Sequence, residues 1–323
     1  MKHNFTNLID LAAERTGGKT LETTDDFFAE KENLLKPGRG IFIADKYTDR
    51  GKWMDGWESR RKRVAGHDWV SIQLGLRGTI AGVDIDTNHF LGNHPPFASL
   101  EAACVNGNVN ENDWQEILPK SPLQPGSQNL FAIDSRRQWT HVRLHIYPDG
   151  GVARLRIYGE VKPDWTQVSK EQMIDLVAVE NGGRVVSCND MFFSDKGNLI
   201  MPGRGANMGD GWETKRRREA GHDWSILKLG HKGKIANIEV DTCHFKGNYP
   251  DRCSLEYICN NDVDDDELEN QDWQPLLPEM KLSADKQHYF DQQILAHQAV
   301  THLRFNIFPD GGISRLRING FIV

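Results

Sequence analysis

Two histidine–aspartate pairs carry the residue types that proton transfer needs. Each pair lies in a Gly-His-Asp-Trp tetrapeptide, as His67–Asp68 and as His222–Asp223. The pKa of histidine lies near neutrality, so an imidazole can accept and donate a proton at physiological pH. The tetrapeptides therefore indicate general acid–base catalysis, in which the aspartate orients the ring. The competing interpretation is a His-Asp-Trp anchor at the edge of a core.

A second group of carboxylates and imidazoles flanks the first tetrapeptide. Glu58 ends the motif Asp55-Gly56-Trp57-Glu58, and Asp86 and His89 follow an apolar run. At the end of a strand, Asp86 and His89 can relay protons or bind a divalent metal ion such as Mn²⁺, although an aspartate that shapes a turn explains the spacing equally well. Asn93 is a candidate substrate ligand, but it lies in a Gly-Asn-x-Pro turn, for which turn chemistry alone is a sufficient reason.

Arginines are the third type of residue that suits a binding site. A guanidinium can form two parallel hydrogen bonds to a carboxylate, so it can hold a carboxylate substrate in one orientation. The candidate substrate ligands of this kind are Arg61, Arg143, Arg154, Arg216 and Arg304. For the arginines in strands, a solvated sheet face is an equally good interpretation, because exposed arginines are common there.

These candidates recur because the chain is duplicated. Asp55-Gly56-Trp57-Glu58 returns as Asp210-Gly211-Trp212-Glu213, and the segment 86–90 returns as 241–245. A unit of this length indicates duplicated domains, because solenoid repeats are only about 20–50 residues long. We predict a first module at residues 1–160, a linker at 161–171 and a second module at 172–323.

The two copies differ at a few polar positions and in two loops. His145 of the first copy is replaced by Asn306, and we expect any divergence in duty at such positions. The first copy carries extra residues between Ile41 and Met54. The second copy carries an acidic insertion at 262–269, and its charge predicts a solvated surface loop.

Alternating apolar residues predict the strands that position these groups. In the segment 141–147 one face carries the apolar side chains, and the other carries His141, Arg143 and His145, as in a half-buried strand. Asp149-Gly150 predicts a hairpin turn into a return strand at 154–158. We predict further strands at 70–74, 80–86 and 99–105, and short helices at 8–14 and 171–179. This pattern is typical of an all-β chain of two jelly-roll-like sandwiches.

Composition narrows the class of protein. A net charge of −7 over 323 residues argues against general nucleic-acid binding. No apolar run approaches the roughly 18 residues of a membrane span, and residues 1–14 lack the pattern of a secretory signal. The five cysteines form no Cys-x-x-Cys pair, so reduced thiols are expected. We therefore expect a cytoplasmic protein that binds neither membranes nor nucleic acid.

Taken together, these motifs resemble those of the allantoicase family. The segments that carry the resemblance are 52–61, 66–69, 86–90 with Gly92-Asn93, and 147–151 with Arg154. The resemblance covers nearly the whole chain, including its duplication. It implies a galactose-binding-like jelly roll in each half, and hydrolysis of allantoate to ureidoglycolate and urea in purine degradation.

The candidate residues can be compared with the steps that allantoate hydrolysis requires. Loss of urea from allantoate requires a proton on the departing nitrogen and water on the central carbon, and proton transfer by a placed side chain contributes about 10²–10⁴-fold in rate. The candidates are Arg61 or Arg143 for the carboxylate clamp, His67 or His89 for the acid, and Asp68, Glu58 or Asp86 for the base or the group that orients the histidine.

The main alternative function is non-catalytic carbohydrate binding. Galactose-binding-like sandwiches often bind sugars without catalysis, and a fold does not establish a function. The edge strands of a sheet expose unpaired backbone N–H and C=O groups, which pairing between subunits can cover. We therefore expect a homo-oligomer. The sequence leaves open which module holds the active site and whether a metal ion is required.

Overall fold

The chain folds into two β-rich units, one for each copy of the repeat. The computed structural model describes residues 4–323, and the units divide between Lys162 and Pro163. Strands and short 3₁₀ helices make up the regular structure of that range, which confirms the predicted all-β class. None of the described helices has the length and apolar character needed to span a membrane.

The strands of the first unit are β1 (Ile9–Asp10), β2 (Lys19–Thr23), β3 (Tyr47–Thr48), β4 (Gly51–Lys52), β5 (Trp57–Glu58), β6 (Asp68–Asp86), β7 (Phe97–Ala103), β8 (Gln115–Pro122), β9 (Gln128–Ala132), β10 (Gln138–Tyr147), β11 (Gly151–Val152) and β12 (Arg154–Val161). Those of the second unit are β13 (Ile174–Asp175), β14 (Arg184–Cys188), β15 (Trp212–Glu213), β16 (Asp223–Asp241), β17 (Arg252–Ile258), β18 (Gln274–Lys281), β19 (Gln287–Phe290), β20 (Val300–Phe308), β21 (Gly312–Ile313) and β22 (Arg315–Ile322). The 3₁₀ helices are Asn4–Asn7, Glu14–Thr16, Lys31–Leu35, Glu111–Asp113, Trp165–Gln167, Val179–Asn181, Lys196–Ile200, Met208–Asp210 and Asp265–Asn270.

The long strand β6 organises the first sandwich. Its first half, residues 68–73, pairs with β2 and β10, and β10 continues the layer through β7 to β8. Its second half, residues 78–86, pairs with β12, and residues 82–86 also pair with β9. The segments predicted at 70–74 and 80–86 are therefore one strand that serves both layers of the jelly roll. In the second unit β16 has the same role, with β14 and β20 on its first half and β22 and β19 on its second.

The hairpin predicted between 141–147 and 154–158 is wrong. β10 pairs with β6 and β7, whereas β12 pairs with β6 and β1. Between them, β11 pairs with β5, so the chain leaves the layer of β10 before β12 begins. Alternation identified both strands, but a local pattern carries no information about which strand pairs with which.

The helices predicted at 8–14 and 171–179 are also wrong. Ile9–Asp10 forms an edge strand beside β12, and Ile174–Asp175 does the same beside β22. Single 3₁₀ turns follow at Glu14–Thr16 and Val179–Asn181. Segments this short do not recover the cost of helix nucleation, so their backbone groups bond to the sheet edge instead.

Both faces of β10 are buried, although we expected a half-exposed strand. The apolar side chains Val142, Leu144 and Ile146 lie wholly inside the sandwich. The polar side chains lie on the opposite face, as predicted, but they too are only 5–9% exposed: His141, Arg143 and His145. A strand with strands on both sides and loops above its outer face has no solvated side, and buried polar groups need partners.

Candidate functional site

The register of neighbouring strands brings polar side chains together on the outer surface of the first unit. Arg143 on β10 lies opposite Glu101 on β7, and His145 lies opposite Ser99. Side chains that are opposite in an antiparallel pair point to the same side of the sheet. Tyr147 follows on the same side, and its hydroxyl lies 3.0 Å from Ser99 Oγ. We call this set, Ser99, Glu101, Arg143, His145 and Tyr147, the polar face.

A chain of hydrogen bonds on the polar face connects a carboxylate to an imidazole near the surface. Glu101 Oε2 lies 2.8 Å from His145 Nε2, and His145 Nδ1 lies 2.9 Å from His67 Nε2. His67 is partly exposed, and its ring packs against that of Tyr147 with 4.5 Å between centroids. We call Glu101, His145 and His67 the relay.

Both imidazoles of the relay are neutral at physiological pH. Burial lowers the pKa of His67 below its usual value, and the nearby His145 and Lys62 lower it further. Burial also lowers the pKa of His145, against the opposing effect of Glu101. Burial alone would raise the pKa of Glu101, but hydrogen bonds from His145 and Arg143 outweigh it and keep that pKa lowered. The resting relay is an ionised carboxylate followed by two neutral rings.

The tautomers of the relay follow from its ionised end. A carboxylate only accepts hydrogen bonds, so His145 carries its proton on Nε2 and accepts at Nδ1. His67 must then donate from Nε2 to that nitrogen, which leaves the Nδ1 lone pair of His67 free to accept a proton. The arrangement is a base that Glu101 orients through His145.

Arg143 holds the carboxylate end of the relay. Its Nε donates to Glu101 Oε2 at 2.8 Å, and its NH1 donates to Glu111 Oε1 at 2.9 Å. The guanidinium also lies over the rings of Trp69 and Trp114, 5.5 and 4.7 Å from their centroids. These contacts favour a positioning role for Arg143 over the substrate clamp that we predicted.

Open space and positive charge lie on either side of the polar face. A cavity of about 710 Å³ is lined by Trp69, Trp114 and Arg143, among other residues. On the other side the exposed Lys120 places Nζ 4.4 Å from the ring centroid of Tyr147, against which His67 packs. Lys120 and His67 therefore contact the same aromatic ring.

The second group of predicted residues lines a smaller pocket of about 360 Å³. There Glu58 Oε1 accepts a hydrogen bond from Asn93 Nδ2 at 2.7 Å, and the exposed His89 forms part of the wall. Burial raises the pKa of Glu58, against the opposing effect of the bond from Asn93. Because the second unit has the same hydrogen bond between Asn248 and Glu213, the pair does not distinguish the two copies.

The geometry of Asp86 and His89 does not fit the metal site that the sequence left open as a possibility. Asp86 is 2% exposed and accepts two hydrogen bonds from Arg39, at 2.8 and 2.9 Å. His89 instead places Nε2 3.1 Å from the carbonyl oxygen of Gly40. Over residues 4–323 no three His, Cys, Asp or Glu side chains are grouped as metal ligands. We therefore assign no step of a reaction to a metal ion.

The aspartates of the two tetrapeptides are tied into the fold. Asp68 is 1% exposed and accepts hydrogen bonds from Thr24, at 2.8 Å, and from Lys62. Asp223 is equally buried and accepts from Arg217 at 2.7 Å. Their hydrogen bonds go to these partners rather than to the adjacent histidines, which precede the first residues of β6 and β16.

Arg154 is enclosed rather than presented to a ligand. It is 3% exposed, and its Nη2 donates to Asp55 Oδ2 at 2.6 Å. Its Nη1 donates to two backbone carbonyl oxygens, those of Asp55 and Ala153, at 3.0 and 2.7 Å. Arg315 has the same relation to Asp210 in the second unit. With these partners the guanidinium stabilises the fold, and its Nε, which has no partner within residues 4–323, is itself buried.

The remaining predicted residues lie apart from the relay's hydrogen bonds. Arg61 is exposed, and within residues 4–323 it has no hydrogen-bond or ion-pair partner. Arg216 is exposed and lines a pocket of about 530 Å³ in the second unit. Arg304 donates to Glu256 at 2.6 Å, and the ring of His222 packs against Phe308 with 4.7 Å between centroids.

Sequence reasoning missed Glu101, Tyr147 and Lys120, and it did not link His145 to His67. Two signals were present: Glu101 recurs in both copies, and alternation placed His145 on the polar side of its strand. The missing information was the register of β7 against β10, which brings the two side chains together.

The fold and the site together define the class of protein. The chain is a duplicated all-β jelly roll in which one unit carries a histidine relay suited to acid–base chemistry. The model of the allantoicase repeat matches residues 9–162 and 174–323. The chain therefore belongs to the allantoicase family.

Individual relatives agree with this membership. A probable allantoicase of Photobacterium profundum is 51% identical, over 98% of this chain and 98% of its own. A probable allantoicase of Burkholderia mallei is also 51% identical, over 97% of this chain and 94% of its own. The crystal structure of allantoicase from Saccharomyces cerevisiae superposes with a TM-score of 0.84 at 35% identity, covering 98% of this chain and 96% of that one.

Proposed function

We propose that this chain hydrolyses allantoate to ureidoglycolate and urea on the polar face of the first unit. Two findings support the proposal: the allantoicases to which the chain is about half identical over nearly its whole length, and the relay. The observation that carries the location is the free Nδ1 lone pair of His67 at the end of an oriented hydrogen-bond chain.

The relay can supply both proton transfers of the reaction. Water adds its oxygen to the central carbon of allantoate, and the bond from that carbon to one ureido nitrogen breaks. His67 takes a proton at Nδ1 from the water and returns it to the departing nitrogen, so urea leaves neutral. While His67 holds the proton, its Nε2 proton can shift to His145, whose positive charge then lies beside Glu101.

The carboxylate of allantoate needs a cation close to His67. Lys120 is the candidate, because its Nζ lies over the ring of Tyr147 that His67 also contacts, and within residues 4–323 no carboxylate pairs with it. Charge pairing at this point would place the central carbon of the substrate beside the imidazole. Holding the reacting groups together in this way makes the proton transfer effectively unimolecular, which raises its rate.

Urea release from allantoate by the purified protein tests the proposed function. We expect release that persists in excess EDTA and does not increase with added Mn²⁺, since no step is assigned to a metal ion. Release that EDTA abolishes and Mn²⁺ restores would show a metal requirement that the described side chains do not provide. Absence of release under every condition would contradict the proposed function.

The protonation of the relay predicts the acid side of the pH profile. Because burial lowers the pKa of His67 and of His145 in the free protein, both rings are mainly neutral at pH 7. We expect kcat/KM, which reports the groups of the free enzyme, to be constant around neutrality and to fall only as the pH drops below about 6.5, the usual histidine pKa. A profile of kcat/KM against pH from 4.5 to 8.5 measures this, and a fall that begins above pH 7 would contradict it.

We also propose that the protein is a cytoplasmic homo-oligomer. Reduced cysteines support the compartment, because all five are free. Exposed apolar side chains support self-association: Phe192 and Phe193 are 69% and 62% exposed. Sedimentation equilibrium of the purified protein measures the number of subunits.

A further inference from the structure

The second unit keeps the frame of the polar face but not its proton-transferring groups. Arg304 on β20 lies opposite Glu256 on β17 and donates to it at 2.6 Å, as Arg143 does to Glu101. Asn306 stands where the first unit has His145. An amide cannot exchange a proton near neutral pH, so the step that His145 supplies has no counterpart.

The hydrogen bonds show that the second chain of contacts is interrupted. Asn306 Nδ2 donates to Glu256 Oε2 at 3.0 Å, which reproduces the carboxylate end. Its Oδ1, however, is buried and accepts no hydrogen bond within residues 4–323. His222 therefore does not join the chain, and its ring packs against Phe308, which replaces Tyr147.

The cavity beside the polar face is also filled in the second unit. We predicted that the acidic segment 262–269 would be a solvated loop, which is wrong for its two apolar side chains. Leu268 is wholly buried and Val263 is 9% exposed, and both pack in one apolar cluster with Trp273. Trp273 is the counterpart of Trp114, which lines the open cavity of the first unit.

An ion pair ties the segment that fills this space to β14. Arg184 pairs with Asp265 at 2.7 Å, at the start of the 3₁₀ helix that carries Leu268. His302, the counterpart of the cavity-lining His141, is wholly buried, and burial lowers its pKa to about 4. Charged loop residues thus remain near the surface, while the apolar ones occupy the counterpart of the first unit's cavity.

We propose that the second unit is a non-catalytic copy, closed by its own segment 262–271, and that all turnover takes place in the first unit. This inference rests on the proposed function. It assigns the extra residues of the second copy a purpose: they fill, with side chains of the same chain, the counterpart of the cavity beside the polar face. The second unit then contributes stability and surface rather than reaction chemistry.

Matched substitutions in the two units test the inference. We expect His67→Ala and His145→Ala each to lower kcat for urea release by about 100-fold or more. The counterparts His222→Ala and Asn306→Ala should keep kcat within about twofold of the wild type. Thermal unfolding curves of all four variants identify any loss that is due to misfolding.

The outcomes separate this inference from the proposed function. Wild-type protein that releases no urea would contradict the proposed function. Active wild-type protein in which His222→Ala loses as much activity as His67→Ala, without a change in its unfolding curve, would overturn only the inference. A further variant, Leu268→Ala, should lower the unfolding temperature and leave kcat unchanged, whereas a gain of turnover would overturn the inference, because a unit without the relay should not catalyse the reaction when it is opened.

Discussion

Replacing His145 by asparagine lowers kcat for urea release by about 10²- to 10⁴-fold and changes KM little. Asparagine can still donate to Glu101, as Asn306 does to Glu256 in the second unit. Asparagine cannot accept a proton from His67. The ring of His67 is then no longer held in its orientation, and its positive charge can no longer shift to residue 145. Steady-state kinetics with allantoate measures the change, and the effect falls on kcat because His145 lies behind His67.

The control for this variant is already present in the chain. Asparagine occupies the same strand position in the second unit, so we expect His145→Asn to fold and to unfold at nearly the wild-type temperature. Glu101→Gln should give a smaller loss of kcat together with a shifted acid limb, since it removes the charge but keeps an acceptor beside His145. If His145→Asn keeps kcat within about threefold of the wild type, the relay is not the catalytic base.

The parts of the fold that were predictable are those that depend on local pattern. The duplication is visible from repeated motifs, and the phase of alternation placed His141, Arg143 and His145 on one side of a strand. Burial of that side was not predictable, because it depends on loops that arrive from elsewhere in the chain. The same reason explains Leu268, whose acidic neighbours suggested a solvated loop although its own side chain fills a cavity.

The candidate site was predictable in its residue types but not in its connections. His67 was identified because it adjoins an aspartate, yet its hydrogen-bond partner is His145, seventy-eight residues away. Asp68 was expected to orient His67, but its carboxylate accepts from Thr24 and Lys62, and the carboxylate that reaches His67 through His145 is Glu101 on another strand. Register between strands, not proximity in sequence, determines which groups can exchange protons.

Arg154→Met lowers the free energy of unfolding of the first unit by about 3–5 kcal/mol, because it leaves the carboxylate of Asp55 buried without its charge partner. The side chains of Arg154 and Asp55 are only 4% and 9% exposed. Two backbone carbonyl oxygens lose a hydrogen-bond donor as well. Chemical denaturation followed by fluorescence measures the loss, and Arg315→Met should have a comparable effect on the second unit.

The pH dependence of that loss identifies its cause. Burial alone would raise the pKa of Asp55, but hydrogen bonds from Arg154 and from the amide of Ile41 outweigh it and lower that pKa. A lowered folded-state pKa gives stability that is present above the unfolded value, about 3.9, and is lost as the pH falls through the folded value. The wild type and Arg154→Met should therefore differ most at neutral pH and converge below pH 4.

The double variant with Asp55→Asn should be less destabilised than the sum of the single variants, because it leaves no unpaired charge. An Arg154→Met protein with wild-type unfolding and a raised KM would instead restore Arg154 as a substrate ligand. The motif in which Asp55 lies would then serve binding, and the buried pair in each unit would need another explanation.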